Sequence, residues 1–249
     1  MLKISELYIY PIKSLGGIPV KTAIITDRGF QYDRRWMLID STNRFISQRE
    51  VPEMALLKLT LSDTGLKVAH KNTNSSIIIP FKSPTNEFST VTVWDEPCIG
   101  QFVSYEANKW FTDILKIKCR LVYMPDVSER QANPNNTNAK SLTSFSDAYP
   151  FMMIGQASLD DLNSRLKQPI LINRFRPNIV FAGGKPFEED LMDTITINNI
   201  IFNGIKLCGR CNIITIDQDN LARSKEPLKT LATYRSKKEK HIFWTIPGM

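Results

Sequence analysis

The chain has 249 residues, of which 42% are hydrophobic and 23% are charged, and this composition excludes global disorder and allows one large or two small domains. Its formal net charge of +7 favours anionic partners, either a phosphorylated cofactor or nucleic acid. The apolar stretches fall far short of the roughly 20 residues of a membrane span, no signal peptide is evident, and the four cysteines form no disulfide framework. A cytoplasmic protein without a membrane span is therefore expected.

The first half of the chain predicts β structure. Short segments rich in β-branched or aromatic residues follow one another, and turn sequences such as "DRG", "DSTN" and "SDTG" separate several of them. This spacing is typical of a barrel or a sandwich. The predicted strands are "ISELYIYPI", "VKTAIITD", "RRWMLID", "RFISQ", "ALLKLTL", "LKVAH", "SSIIIPF" and "TVTVW".

A helix and a long polar stretch come next. "YEANKWFTDIL" has apolar residues at helical spacing and predicts the first long helix over Tyr105–Leu115. The strand "IKCRLVYMP" follows it. Residues 126–147 are rich in Asn, Ser and Pro and show no apolar period, which indicates a linker or a long functional loop.

The second half alternates strands with two short helices. "QASLDDLNSRL" predicts a helix capped by Ser158, with Asp161 completing the capping box. "EPLKTLATYR" predicts another helix, with Pro227 in its first turn. The predicted strands are "PFMMIG", "RPNIVFAGG", "TITINNIIFNGIKL" and "NIITID".

Two cysteines in "KLCGRCNIITIDQ", Cys208 and Cys211, raise several chemical possibilities. A structural zinc site needs four Cys or His ligands, usually as two such pairs, whereas the other cysteines are single and both histidines are isolated, so zinc is disfavoured. A thioredoxin-like dithiol needs its first cysteine at the start of a helix. The β-branched "NIITI" predicts a strand instead, so a dithiol is disfavoured as well.

A single reactive thiolate is the third possibility. Arg210 is next to Cys211, and an adjacent guanidinium favours the thiolate form, which is a soft ligand suited to a transition metal. A purely structural cysteine in a strand competes with this interpretation. The cysteine motif taken alone favours the structural role.

Three short basic motifs shift the balance towards a binding site. "YPIKSLGG" places Lys13 and Ser14 in a glycine-containing turn after a strand, where an ammonium, a hydroxyl and free backbone N–H groups can cradle a phosphate. It is not a P-loop, because the glycine-rich lead and the following helix are absent. "DRRWMLID" and "NRFRPN" add arginine pairs at strand edges, and one arginine of each pair is expected to point to the core side or to a pocket. These pairs are Arg34 with Arg35 and Arg174 with Arg176.

The motifs resemble those of the MOSC family, the molybdenum-cofactor sulfurase C-terminal domain family, and within it the branch of the mitochondrial amidoxime-reducing component and its bacterial relatives. "YPIKSLGG" and "DRRWMLID" resemble the family's N-terminal part, and "AYPFMMIGQASLDDLNSRL", "NRFRPNIVFAGG" and "CGRCNIITIDQD" resemble its MOSC part. The resemblance covers nearly the whole chain. It implies a β-rich α+β fold, with an N-terminal β-barrel-like domain at residues 1–124 and a MOSC β-barrel domain with few helices at residues 125–249.

The resemblance also implies a site. The second cysteine of the family's "C-x-R-C" motif is the protein ligand of molybdenum, which makes Cys211 the metal ligand and the catalytic residue. The two positions before "PF" are Ala148 and Tyr149 here, and since alanine has no side-chain hydrogen bond to offer, a contact of Ala148 is made by the backbone or is absent. The other residues expected to bind Mo-molybdopterin, the molybdenum cofactor, are Lys13 and Ser14 on the phosphate side, Arg34, Arg176, Asn178, Cys208, Gly209 and Arg210.

The implied activity is reduction of small N-hydroxylated compounds, such as amidoximes or hydroxylated base analogues. No cluster-binding cysteines follow Cys211, so electrons are expected from a separate protein, either a reductase, a ferredoxin-like protein or a cytochrome. Relatives continue beyond "HIFWTIPGM", so a missing closing strand and an exposed sheet edge are also expected.

Two other functions remain open at this point. One is a sulfur-transfer or cofactor-carrier protein in which Cys211 carries a persulfide. The other is a nucleic-acid binder, which the absence of an interleaved aromatic and basic motif disfavours. Pyridoxal phosphate is not expected.

Overall fold

The computed structural model describes residues 1–132, residues 141–236 and the backbone of Ile242–Ile246. Strands predominate over helices in these residues, which confirms the expected β-rich α+β class. Within the same residues, no helix is both long and apolar enough to cross a membrane.

The first half of the chain forms short strands and a helix. The helix has the predicted bounds, because the Ser104 hydroxyl accepts a hydrogen bond from the Ala107 N–H at its start (3.1 Å) and Phe111 faces the core. The elements are β1 (Lys3–Ile9), β2 (Ile18–Val20), β3 (Ile25–Thr26), β4 (Gly29–Phe30), β5 (Trp36–Ile39), β6 (Leu57–Ser62), β7 (Gly65–His70), β8 (Ser76–Pro80), β9 (Phe88–Val93), β10 (Glu96–Phe102), α1 (Tyr105–Leu115) and β11 (Arg120–Tyr123).

The second half contains the remaining elements. They are β12 (Phe151–Gly155), α2 (Gln156–Arg165), β13 (Ile179–Ala182), β14 (Thr194–Ile197), β15 (Ile200–Asn203), β16 (Lys206–Gly209), α3 (Leu228–Tyr234) and β17 (Ile242–Ile246). Short 3-10 turns precede β13, at Ile172–Arg174, and follow β16, at Asn212–Thr215.

Two local predictions for this half are wrong. Ser158 does not cap α2, which begins at Gln156. The Ser158 hydroxyl instead donates to the buried Glu189 carboxylate (2.8 Å), which also accepts from the Gly155 N–H (3.0 Å). The segment "NIITI" is not a strand but a 3-10 turn, whose Thr215 hydroxyl bonds back to the Asn212 carbonyl (2.7 Å).

One prediction for the first half is also wrong. The segment "RFISQ" makes only isolated bridges, at Arg44 and Phe45. Conversely, β10 was not predicted, because its sequence "EPCIGQF" carries Pro and Gly, which disfavour strands. It forms through pairing with β9 and β11.

A mixed sheet joins the two ends of the chain. Its strand order is β16-β17-β12-β13-β1-β2, with β12 and β13 parallel. β17, from the segment "HIFWTIPGM", pairs with a strand on each side. Because β1 lies beside β13, the turn after β1 and the turn before β13 are neighbours in space. The domain boundary at residue 124 stays a prediction.

The other strands form smaller sheets. One has the order β5-β11-β10-β9, another has the order β6-β7-β8, and β3 with β4 and β14 with β15 form antiparallel pairs. The core beneath them includes Ile12 and Leu15, which are fully buried on either side of Lys13 and Ser14. Those two apolar anchors fix the turn in which the basic residue lies.

The polar stretch at residues 126–147 is packed where the structure describes it. The Arg130 guanidinium, which is almost fully buried, donates to the carbonyls of Ser144 (2.8 Å) and Ser146 (2.6 Å) and to the Glu96 carboxylate (2.6 Å). These bonds hold both described ends of the stretch against β10. They favour a structured loop over a linker; residues 133–140 lie outside the described part.

Candidate functional site

Three turns carry the basic motifs and share an unusual backbone conformation. Ser14, Arg34 and Arg176 have φ angles of 68°, 49° and 57°. This left-handed region is uncommon for residues with a side chain and is found preferentially at functional sites.

Direct hydrogen bonds join these turns. The Arg34 guanidinium donates to the Asn178 side-chain oxygen (2.8 Å) and to the Arg176 carbonyl (3.3 Å). The Arg176 guanidinium donates to the Leu15 carbonyl (2.6 Å). The motifs "YPIKSLGG", "DRRW" and "NRFRPN" therefore meet at one place, although they are far apart in the sequence.

The second arginine of each pair has other partners. Arg35 donates to the Met124 carbonyl (2.6 Å) and the Tyr123 hydroxyl (2.8 Å). Arg174 forms an ion pair with Asp217 (2.7 Å). Each pair thus supplies one arginine to the meeting point and one to a structural contact.

Tyr10 and Asp33 lie at the centre of this arrangement. The guanidinium carbons of Arg34 and Arg176 lie 4.5 Å and 4.3 Å from the centre of the Tyr10 ring. One oxygen of the buried Asp33 carboxylate accepts from the Tyr10 N–H (2.7 Å) and the Asn178 amide (3.1 Å), while the other pairs with Arg34 (2.5 Å). Burial raises the pKa of Asp33, although the ion pair with Arg34 opposes this rise.

Lys13 is buried beside these residues, and its ammonium donates to the Phe145 carbonyl (2.8 Å) and to the Asp147 carboxylate (2.6 Å). The Trp94 indole N–H donates to the same carboxylate oxygen (3.1 Å). Asp147 still exposes 67% of its side chain. Partial burial alone would raise the pKa of Asp147. The charge of Lys13, together with the hydrogen bonds from Lys13 and Trp94, outweighs this effect, so the pKa of Asp147 lies below its ordinary range. For Lys13, burial dominates and lowers the pKa.

The cysteine motif lies at the end of β16. The Arg210 guanidinium contacts the sulfurs of Met152 (3.1 Å) and Cys208 (3.3 Å) and donates to the Phe175 carbonyl (2.7 Å). This last bond ties the motif to the residue before Arg176. The Cys211 side chain is exposed where the 3-10 turn begins. In the described part of the chain, no three His, Cys, Asp or Glu side chains cluster as ligands of one metal ion do.

The remaining predicted residues lie close along the chain to these groups. Ala148 is partly buried and Tyr149 is buried, and both directly follow Asp147. The Ser14 carbonyl accepts from the buried Gln48 amide (2.6 Å). Gln48 exchanges two hydrogen bonds with Gln218 (3.2 Å and 3.0 Å), so the Lys13–Ser14 turn is connected to the segment after Cys211.

Several of these residues were not predicted as site residues. Asp147 and Gln48 contact predicted residues through long-range hydrogen bonds. Tyr10 contacts them through its ring, and Asp33 through its ion pair with the adjacent Arg34. For Asp33 and Tyr10, the available signal was their position inside the basic motifs, next to Arg34 and before "PIKS". Gln48 carried no local signal, because its partner Gln218 is remote in the sequence.

The arrangement fits an anionic ligand with a metal-binding end. The basic residues of the site are Lys13, Arg34, Arg176 and Arg210, and carboxylates pair with Lys13 and Arg34. Burial lowers the pKa of Arg176 to about 10, so burial disfavours its charged form, which a bound anion would favour. Charged hydrogen bonds to phosphate are strong, and an exposed thiol suits a soft transition metal.

Known proteins resemble the chain over most of its length. Residues 1–118 match the MOSC N-terminal beta barrel domain and residues 141–245 match the MOSC domain. Mitochondrial amidoxime-reducing component 1 of Mus musculus is 33% identical over 242 residues, covering 93% of this chain and 71% of the relative. Mitochondrial amidoxime reducing component 2 of Bos taurus is 34% identical over 258 residues, covering 98% and 76%.

A second kind of relative is longer. The molybdenum cofactor sulfurase of Oryza sativa subsp. japonica is 30% identical over 263 residues, covering 97% of this chain but 32% of the sulfurase. The animal relatives are mitochondrial by name, so the expected cytoplasmic location stays a prediction. With both domain matches in sequence order and relatives of both kinds, the chain belongs to the MOSC family, a family related to the molybdenum cofactor.

Proposed function

We propose that the protein is a molybdenum-cofactor-dependent reductase of small N-hydroxylated compounds such as amidoximes. The observation that carries the proposal is the convergence of Lys13, Arg34 and Arg176 from three separate turns, which Arg210 joins to a cysteine motif with an exposed thiol. The similarity to amidoxime-reducing components over 93% and 98% of the chain supports this choice of reaction.

The residues of the site divide into two groups. Lys13, Arg34 and Arg176 would hold the phosphate of Mo-molybdopterin, and Asn178 would orient Arg34 through its 2.8 Å hydrogen bond. The thiolate of Cys211 would bind the metal. When bound, the cofactor supplies the two-electron and oxygen-transfer chemistry, while the protein positions and tunes it.

Of the buried residues, Asp33 acts on the arginines rather than on the substrate. Its carboxylate holds Arg34 on one oxygen and the Tyr10 N–H on the other. It therefore fixes the direction of the guanidinium before any ligand arrives. Such preorganisation lowers the ordering cost of binding.

A comparison of Cys211→Ala with Cys208→Ser tests the metal ligand. Cys211 is exposed and Cys208 is only partly buried, so neither change should unfold the protein. We expect Cys211→Ala to abolish amidoxime reduction and to lower the molybdenum content. Cys208→Ser should keep a measurable fraction of both, because its backbone is unchanged.

The measurements are molybdenum and pterin per chain and amidoxime reduction with a chemical electron donor, after expression in a molybdenum-replete host. Equal losses in the two variants would refute the single-ligand assignment and return a dithiol or zinc site to first place. Wild-type protein that holds neither molybdenum nor pterin would refute the proposed function itself.

Electrons should come from a separate protein. The chain has four cysteines and none after Cys211, which is too few for a cluster-binding set beyond the proposed site. The pure chain should therefore not oxidise NADH by itself, and turnover should appear once a partner reductase is added. NADH-dependent turnover by the pure chain would contradict this part of the proposal.

A sulfur-transfer or cofactor-carrier function is the second candidate. It is favoured by the 30% identity to part of a molybdenum cofactor sulfurase and by the exposure of Cys211, which a persulfide needs. Sulfane sulfur on Cys211, together with an absence of molybdenum from the purified protein, would favour this candidate over the reductase.

A further inference from the structure

The hydroxyl group of Tyr10 is buried without a hydrogen-bond partner in the described part of the chain. Tyr10 is only 1% exposed, so solvent does not reach the hydroxyl. A buried polar group without a partner destabilises a fold. Such a group at a functional site therefore indicates that a ligand provides the missing partner.

The Tyr10 ring cannot turn away to find a partner within the protein. The guanidinium carbons of Arg34 and Arg176 lie 4.5 Å and 4.3 Å from its centre. On the ring edge, Gly17 approaches so closely that an added Cβ would lie 2.6 Å from Tyr10 Cε1. The ring is therefore held by three neighbours, and the direction of its hydroxyl is fixed.

The surroundings of the hydroxyl are cationic. Burial raises the pKa of Tyr10 well above its ordinary value, and the charges of Arg176, Arg34 and Arg210 offset only part of this rise. The side chain therefore stays a neutral phenol, which keeps its proton and can donate a hydrogen bond. A donor among guanidinium groups suits an anionic oxygen, because all of these groups then contact the same negative charge.

We propose that Tyr10 is a further ligand-binding residue of the site, whose hydroxyl donates a hydrogen bond to a phosphate oxygen held by Arg34 and Arg176. The proposal rests on the proposed function for the identity of the phosphate, which would be that of the cofactor. Its physical basis, an unpartnered donor fixed within a cationic site, does not depend on which reaction the protein catalyses.

The test is to compare Tyr10→Phe with Tyr8→Phe. Tyr8 is the matched control because its ring lies 6.4 Å from that of Tyr10, while its hydroxyl already donates to the Glu6 carboxylate. Both variants lose one phenol hydroxyl and keep the ring. Cofactor-free protein is titrated with inorganic phosphate, with chloride at matched ionic strength as the reference, and thermal unfolding is recorded with and without phosphate.

The two variants should behave in opposite ways. Tyr10→Phe should leave the melting temperature of the cofactor-free protein unchanged or raise it, because an unpartnered polar group is removed. It should weaken phosphate binding by about three- to tenfold and lower the pterin content of protein made in a molybdenum-replete host. Tyr8→Phe should lower the melting temperature slightly and leave phosphate affinity unchanged.

Other outcomes distinguish the role of Tyr10 from the proposed reductase function. Unchanged phosphate affinity in Tyr10→Phe, or a loss of stability in its cofactor-free form, would overturn the role of Tyr10 and leave the reductase proposal intact. Absence of pterin from wild-type protein would overturn the reductase proposal. The phosphate titration would then still decide whether Tyr10 binds an anion.

Discussion

Replacing Arg176 by alanine tests whether its charge is held in place for an anion. Burial lowers the pKa of Arg176 to about 10 from an ordinary value of 12.5, which corresponds to a cost of about 3 kcal/mol for keeping the guanidinium charged in the fold. The contacts that the variant loses are its hydrogen bond to the Leu15 carbonyl (2.6 Å) and its position over the Tyr10 ring.

The cofactor-free variant should therefore be nearly as stable as wild type, within about 2 kcal/mol, because relief of the burial cost compensates for the lost contacts. Cofactor binding should suffer far more. Loss of a charged hydrogen bond to phosphate costs about 1.5–3 kcal/mol, which corresponds to roughly 10- to 150-fold in affinity.

The assay is pterin and molybdenum per chain, with urea unfolding of the cofactor-free protein as the stability measurement. Arg174→Ala is the matched control, since it removes an equal charge two positions away, from a residue paired with Asp217 (2.7 Å). Arg174→Ala should keep its cofactor. Wild-type occupancy in Arg176→Ala, or equal losses in both variants, would refute the reasoning.

Two further predictions concern Asp147 and Gly17. The folded-state pKa of Asp147 lies below its ordinary value of 3.8, so its stabilising contribution is present above that pH and is lost as the pH falls below it. Asp147→Asn should therefore be less stable than wild type at neutral pH. The difference should be no more than about 1 kcal/mol, since the carboxylate is mostly exposed. Chemical unfolding at several pH values should show that this difference vanishes in acid. Gly17→Ala would place Cβ 2.6 Å from Tyr10 Cε1. It should therefore destabilise the fold by about 1–3 kcal/mol and reduce the pterin content. An unchanged melting temperature and pterin content would contradict the close packing of Gly17 against Tyr10.

The parts of the fold that were predictable have local causes. Helix α1 has its predicted bounds because its apolar period, its Ser104 cap and its buried Phe111 agree with one another. Strand β10 was missed because pairing with neighbours on both sides outweighs the low strand propensity of "EPCIGQF". The segment "NIITI" has strand propensity, but Ile214 is buried in a 3-10 turn that packs beneath the mixed sheet.

The candidate site shows the same division. The motifs containing Lys13, Arg34 and Arg176 could be found from the sequence, and so could their likeness to a family. The groups that hold them had weaker signals or none, because the Asn178 amide that holds Asp33 and the Phe145 carbonyl that holds Lys13 are remote in the sequence. Contacts between such distant positions leave no periodic pattern in a single sequence.

The charge of the site limits which ligand can complete it. Lys13 and Arg34 already have carboxylate partners in Asp147 and Asp33, whereas the described hydrogen bond of Arg176 goes to the Leu15 carbonyl and its guanidinium lies over the Tyr10 ring. Among the described contacts, the charge of Arg176 therefore has no carboxylate partner. A phosphate monoester carries about −1.5 to −2 at neutral pH.

A phosphate group of this charge can bind without breaking either existing ion pair, because it replaces only the neutral acceptor of Arg176. A neutral ligand would leave the charge of Arg176 without an anionic partner, and the lowered pKa of Arg176 would then persist in the complex. The charge and geometry of the site thus support the proposed phosphate binding, and the choice between reductase and sulfur carrier depends on what the exposed thiol of Cys211 holds.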